Sequence, residues 1–306
     1  MNMNFVLLYY AAMSWTMIMY SSLVNFFEDY LPRILVEAFK YGKCACNEKT
    51  KLVSKIEVPK AWFKHFYVIA VIVFSYIFYA TTWVYVVGGD VAEWFSNFLN
   101  ICCGQGRVAH TPAAKVYLAT VLLTLQVFRR FYDTHFVSVF GKNSFMNLLH
   151  YIAGVFHYPG AAIAIVCEAP IFAKTAQNVS AELRLSDITL FDVCVAVTFM
   201  WAWWHQHCTS KILANLRKDK KGKVVSHSHC LPHGDWFKYL SAPHQNAEIL
   251  MYTCLTVLLW YNITWFFVFA WVLINQVETI LLSHWWYQKT FKDFPSQRKA
   301  LVPYLY

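Results

Sequence analysis

The sequence predicts an all-α integral membrane protein, a bundle of seven transmembrane helices with a lumenal N-terminus and a cytosolic C-terminus. Three observations predict it. Only 14% of the 306 residues are charged and 58% are hydrophobic, whereas a soluble domain of this size carries about 25% charged residues. Several apolar runs reach the roughly 20 residues that span a bilayer. The basic residues fall in short loops that alternate between rich and poor along the chain, the pattern that sets membrane orientation. The net charge of +9 therefore points away from nucleic acid, because its cations lie between apolar runs.

The first span covers about Phe5 to Phe27, with no Lys or Arg before it. It lacks the basic start of a cleavable signal and reads as a retained helix. A basic loop from Glu28 to Lys60 leads to a second span, about Ala61 to Val87. The loop from Gly88 to Pro112 holds one strong base, Arg107. The third span, about Ala113 to Phe128, ends in Arg129-Arg130, and the fourth runs about Phe145 to Ala169. A weakly charged loop carries the sequon Asn178-Val179-Ser180, which this topology places in the lumen, where glycosylation occurs. The fifth span is about Ile188 to Trp204. From Ala247 to Tyr287 the chain is too long an apolar run for one helix, so two helices bending near Tyr261-Asn262 are predicted. The result is a single polytopic domain: residues 5–204 hold five helices, 205–246 a cytosolic loop, 247–287 two helices and 288–306 a cytosolic tail.

The loop from His205 to His244 is the most basic connector, with Lys211, Arg217, Lys218, Lys220, Lys221, Lys223 and Lys238. Held between membrane-length segments, it is a candidate anion site on the cytosolic side. There is no GxGxxG and no GxxxxGK[ST]. A nucleotide would be gripped by side chains, with Arg and Lys on phosphates and amides, carboxylates and aromatics on the rest. His227, His229, Cys230 and His233 share residue types with a zinc cluster, but the nearby Asp, Lys and aromatic residues favour a polar ligand, and no metal is predicted. Nine scattered Cys, Cys44 and Cys46 among them, show no paired framework and read as free thiols.

Polar residues within spans are functional candidates by default. Gln126, His150, His157, Glu168, His205, Glu248, Asn275, Gln276, Glu278 and His284 qualify, with interhelical hydrogen bonding as the plainer reading. Tyr132, Tyr158, Tyr239 and Tyr287 are the tyrosines best placed to donate protons, although most tyrosines here should be packing or interfacial belts.

NLRK (Asn215 to Lys218), PHGDWFKYLSAPH (Pro232 to His244), Ala247-Glu248 and SHWWYQKTFKDFPSQRKALVPYLY (Ser283 to Tyr306) resemble the C-terminal half of the steroid 5α-reductase family. VPKAWFKHFY (Val58 to Tyr67), Phe128 to Arg130 and FVSVF (Phe136 to Phe140) resemble its branch that acts on polyprenols. The resemblance implies a seven-helix endoplasmic reticulum reductase using NADPH, working as a monomer on a long-chain polyprenoid lipid among membrane lipids, with no nucleic acid partner. Carried over by position, the cofactor contacts are Gln206, Asn215, Arg217, Lys218, Gly234, Asp235, Tyr239, Glu248 and Tyr287, with His244 standing where the family usually has Asn. Cys230 stands where the steroid branch has Arg, and Val127 where that branch has a tyrosine before the basic pair.

The implied reaction is conjugate reduction. Hydride needs a carbonyl beside the C=C to take developing charge, and a donor to stabilise that oxygen. An allylic alcohol offers no such sink, so the chemical step is expected on a polyprenal. His284 and Tyr158 are the expected oxyanion donor or proton source. A lipid enone reductase acting on 3-oxo-steroids is the alternative substrate class. A receptor or transporter is the alternative of another kind, and the absence of inverted repeats counts against it.

Overall fold

The computed structural model describes residues 3–40, 50–142, 144–226 and 228–306. The helices start where the sequence supplies caps. Asn4 accepts the N–H of Leu7 at 2.9 Å and opens α1 (Phe5–Phe27). Two short helices, α2 (Arg33–Phe39) and α3 (Lys51–Lys55), occupy the loop that follows. Next, α4 (Phe63–Thr82) runs on into a π-helical stretch, Trp83–Val87, which ends at Gly88 with φ +81°, a left-handed turn that favours glycine. The connector read as a loop contains α5 (Glu93–Cys103), whose buried Phe95, Leu99 and Cys103 recur at helical spacing. Then α6 (Ala113–Tyr132) also continues as a π-helical stretch, Asp133–Val137, so this helix outlasts its predicted end at Phe128.

Asn147 caps α7 (Leu148–Cys167), which tolerates Pro159 in its interior. A reciprocal pair, Thr189 and Asp192, opens α8 (Leu190–Asn215). This helix corrects the predicted boundary at Trp204, because residues 205–215 are helical. Ala202, Gln206, Thr209, Ser210 and Ala214 keep a buried stripe going past the last tryptophan. Pro243 at its first turn starts α9 (Pro243–Leu258), four residues earlier than the sequence suggested. The bend falls at residues 259–262 as expected, and Asn262 caps α10 (Ile263–Thr290). Three segments, Lys60–Val87, Leu148–Cys167 and Ile263–Thr290, are long and apolar enough to cross a membrane.

Two small ladders mark the two ends of the bundle. At one end β1 (Glu57–Pro59) pairs antiparallel with β3 (Phe145–Asn147), with Val58 opposite Met146. At the other β2 (Val108–Ala109) runs parallel to β4 (Thr175–Ala176). Asn4 donates to Thr264 Oγ1 at 2.7 Å, and Glu168 accepts the N–H groups of Ile263 and Thr264 at 2.9 and 3.0 Å. That carboxylate lies on the positive end of α10, a structural answer to its presence beside a span. The tail joins the β1–β3 end, where Leu240 pairs with Lys299 and Asn246 donates to Leu301 O at 2.8 Å. The basic connectors therefore share one end of the molecule, and the sequon, with Asn178 exposed, lies at the other.

Within the bundle α8 packs along α9, α1 along α10, and α4 against α6 and α7. Close approach needs small residues on α7. A Cβ on Gly154 would fall 2.5 Å from the Phe66 ring, and one on Gly160 would fall 2.6 Å from the Tyr10 hydroxyl. Large apolar side chains such as Trp15, Phe26 and Ile72 face outward, as lipid-facing surface does. Asn25 donates to both carboxylate oxygens of Glu278 at 3.1 Å, so that span carboxylate has an interhelical partner.

Asn262 accepts from Trp265 N–H and donates to Ala164 O, both at 2.8 Å. Asn262→Ala is expected to destabilise the protein by about 1–3 kcal/mol, seen as a lower unfolding midpoint in detergent; an unchanged midpoint contradicts this role.

Candidate active site at the basic end of the bundle

The extension of α8 carries Gln206 into the bundle interior, where it is buried. Its Oε1 accepts from Gln126 Nε2 at 2.8 Å and also from Arg129. Its Nε2 donates to His244 O at 2.8 Å and to the carboxylate of Glu248. One side chain therefore ties α6, α8 and α9 together. Arg129 also donates to Gln126 Oε1 and to Asp133 Oδ2, both at 2.6 Å. The second oxygen of Asp133 lies 2.6 Å from His207 Nδ1. Arg129 and Asp133 stand one turn apart and face the same way. Buried charges are tolerable only when paired and hydrogen-bonded. Here two arginines, Arg129 and Arg130, are met by two carboxylates, Asp133 and Glu248.

Arg130 faces a cluster of rings. Its Nε donates to the Tyr67 hydroxyl at 3.0 Å, and its guanidinium carbon lies 5.0 Å from the Tyr67 ring centroid. The Tyr158 ring is 5.2 Å from Tyr67. His157 Nε2 lies 3.1 Å from the Tyr252 hydroxyl. Glu248 is within electrostatic reach of Tyr67 and Tyr158. Tyr158 and Glu248, far apart in sequence, thus belong to one inner compartment.

A second compartment opens outside it. A cavity of about 370 Å³ is lined by His233, Gly234, Lys238, Tyr239, Gln297 and Arg298, among others. Gly234 (φ +92°) and Asp235 (φ +44°) are consecutive left-handed residues. Glycine bears the first without strain; Asp235 is held there because its Oδ1 lies 2.7 Å from His205 Nδ1. Trp236 stacks on the same imidazole at 4.9 Å. Asp235 Oδ2 has no hydrogen-bond partner among the described residues.

Arg298 is 2% exposed. Its Nη2 donates to Pro232 O at 3.0 Å, while Nε and Nη1 find no acceptor among the described residues. Burial pulls its guanidinium below its ordinary pKa. Arg298 is inconspicuous in the sequence because it stands in a polar tail with Lys289, Lys292 and Lys299. The signal was the RKAL ending itself.

The remaining expected residues divide between these compartments. Arg217 Nη1 donates to Val139 O at 2.5 Å and Lys218 Nζ to Val137 O at 3.1 Å, so both hold the end of the π-helical stretch after α6. Asn215 is exposed at the last residue of α8. Tyr287 is buried, with Phe291 and Phe294 rings at 5.9 and 6.5 Å. His284 Nδ1 lies 2.7 Å from Ser241 Oγ, and its ring meets Phe294 edge-on at 5.6 Å. His284 therefore sits on the tail side and Tyr158 in the inner cluster. Val127 is core packing, with no exposure. Among the described residues no three His, Cys, Asp or Glu side chains converge as metal ligands. His227, Cys44 and Cys46 lie outside the described residues.

A family profile described as 3-oxo-5-alpha-steroid 4-dehydrogenase matches residues 171–306. The polyprenal reductase of Drosophila melanogaster is 37% identical over 294 residues, 95% of this chain and 90% of the relative. The chain belongs to the steroid 5α-reductase family. The polyprenal reductases of Caenorhabditis elegans and Homo sapiens are 34% and 30% identical, each aligning with 89% of this chain. The steroid 5α-reductase profile covers α8 to the tail, so it takes in Gln206, Asp235, Glu248 and Arg298 but not Arg129, Arg130 or Tyr67. The alignments with relatives of this family span both halves.

Gln206→Ala leaves Gln126 and Glu248 each short of a buried partner. It is expected to cost about 2–4 kcal/mol, with part of the loss recovered in the Gln206→Ala/Glu248→Gln pair. Additive losses in that double-mutant cycle would show that the two side chains are not coupled.

Proposed function

We propose that this protein is an NADPH-dependent reductase that saturates the α-isoprene double bond of polyprenal, the aldehyde form of polyprenol, on the way to dolichol for protein N-glycosylation. The reading places it in the endoplasmic reticulum membrane as a monomer crossing seven times, with its basic end in the cytosol. Its relatives' name supplies the substrate class, and the arrangement of the basic end supplies the means.

The observation that carries it is Arg298. A guanidinium this buried, with two nitrogens lacking acceptors and a cavity beside it, suits an anionic ligand. Lys238 lines the same cavity and adds charge of the same sign, with His233 beside it. The free oxygen of Asp235 suits a ribose hydroxyl or an amide. Gln206, Glu248, Tyr239 and Tyr287 extend this set toward the inner cluster. Arg217 and Lys218 hold backbone carbonyls and would shape the rim, turning to phosphate only by exchanging partners. Burial lowers the pKa of Arg217 too, and an anion at the rim would raise it again. The residues thus fit a dinucleotide phosphate, and bound NADPH supplies the hydride.

The protein's own part is to hold the aldehyde at the inner cluster. The rings of Tyr67, Tyr158 and Tyr252 form an apolar wall with hydroxyls at its edge, suited to an isoprenoid head that ends in a carbonyl. Tyr158 is the nearer of the two expected donors to that cluster, and His284 serves from the tail side. A polyprenyl chain is longer than the bilayer is thick, so all but its first units leave sideways into lipid.

Purified protein incubated with NADPH and a polyprenal is expected to yield the aldehyde with two more hydrogens, identified by mass. Saturation of a 3-oxo-4-ene steroid instead would move the assignment to the steroid substrate class. Arg298→Ala should raise the Michaelis constant for NADPH by about 10–100-fold, the loss of one or two charge-assisted bonds. An unchanged constant would remove Arg298 from the phosphate site.

A further inference from the structure

The buried tyrosines differ in what their hydroxyls do. Tyr10 donates to His157 O at 2.6 Å and Tyr85 to Pro170 O at 2.8 Å. Tyr252 shares its hydrogen bond with His157 Nε2. In each case a protein acceptor is at hand. Tyr67 is only 3% exposed, yet both of its polar partners act as donors to its oxygen, the Nε–H of Arg130 and the hydroxyl of Tyr158. A phenol oxygen that accepts from a cation keeps its own proton for another acceptor. The cation also strengthens that O–H as a donor, the more so in a poorly solvated interior.

Position adds to this. Tyr67 lies in the first turns of α4, and Arg130 stands two residues before the end of α6. Both are just inside the basic end, where the inner ring cluster meets the Gln206–Glu248 network. The Tyr158 ring packs against Tyr67 and limits its rotation. Arg130 is held in turn by the ring beneath it and by the field of Glu248. His284 has its Nδ1 at Ser241 and faces the tail. Of the candidate donors, Tyr67 combines burial, a cationic support and, with Arg130 and Tyr158 both donating to its oxygen, a proton without an acceptor among the described residues.

We propose that Tyr67 is the catalytic residue that hydrogen-bonds the aldehyde oxygen, with Arg130 as its positioning residue. The inference rests on the reductase reading above. In the balanced reaction a hydride from a reduced nicotinamide dinucleotide forms a C–H bond at the β-carbon. The C=C electron pair moves to form an enolate, whose charge lies on oxygen. One proton, taken from water, then closes the α-carbon. Tyr67 stabilises the enolate oxygen through its O–H and is itself neither oxidised nor reduced. Preorganised donors of this kind are among the largest contributors to such reactions.

The test uses the full chain in detergent with NADPH and a polyprenal of defined length. Tyr67→Phe deletes one oxygen and keeps the ring. It is expected to lower kcat by about 100-fold or more, the usual loss on removing one oxyanion donor. The NADPH dissociation constant, read from tryptophan quenching, should stay within about twofold of wild type, because the group acts on the substrate oxygen alone. Retained kcat overturns the proposal, and so does a parallel loss of NADPH affinity, which would mark a structural role. If Tyr67→Phe does not fold, Arg130→Lys takes its place. Its charge remains but its directed Nε–H is lost, and kcat should fall at least about tenfold with NADPH binding retained; an unchanged kcat rejects the idea. Wild-type protein that binds NADPH but leaves polyprenal untouched would instead reject the reductase reading, a separate result.

Discussion

The neutralisation of Arg129 and Arg130 inside the bundle governs the arrangement of the basic end. An unpaired buried charge costs several kcal/mol, more than a cap or a single packing contact returns. Asp133 answers Arg129 from one turn away, and Glu248 answers from α9 through Gln206. Once these partners are set, the relative positions of α6, α8 and α9 are set with them. The Tyr67 hydroxyl follows, because Arg130, next to the engaged Arg129, donates its Nε–H to it. The site is thus a by-product of charge pairing that the fold requires anyway.

Two compartments meet along that network, and they differ in what they leave unsatisfied. The inner one is largely paired among its own groups, with Arg129 Nε and His157 Nδ1 without partners among the described residues and the proton on Tyr67 available. The outer one carries Arg298 and Asp235 with polar atoms that no described residue answers. Native interiors rarely leave such groups without partners, and where they do, a functional role or a bound water or ion accounts for them. A helical membrane protein can hold these groups at its polar end because water and headgroups are near, whereas the bilayer centre would forbid them.

Much of this could be read from the chain, and the failures have physical causes. The bend at residues 259–262 was visible because no single helix of ordinary tilt needs so long an apolar run. The first helix kept its predicted bounds because it starts at an Asn cap and runs to Phe27, just before the charged Glu28 and Asp29. The fifth helix did not, because hydropathy reports contact with lipid, and residues 205–215 are buried against protein with polar side chains. Gln206 and Glu248 were named from family position, but their mutual bond depends on a helix pairing that no spacing rule encodes. Tyr67 was unremarkable in sequence, one of 19 tyrosines. Its significance comes from the neighbour that α6 brings to it. Arg298 was hidden by its charged surroundings, which read as a solvated tail.

The Arg129–Gln206 contact joins residues 77 positions apart. At ordinary translation speeds of about 5–20 residues per second, on the order of ten seconds separates the synthesis of the two. During that interval the nascent chain has delivered its arginine pair to the membrane and not yet the glutamine that bridges to α9. Until its second half arrives, the newborn protein holds that pair with Asp133 and Tyr67 alone. Ribosomes that stall between α6 and α9 would leave a fragment whose arginine pair has Asp133 and Tyr67 beside it but lacks Gln206 and Glu248.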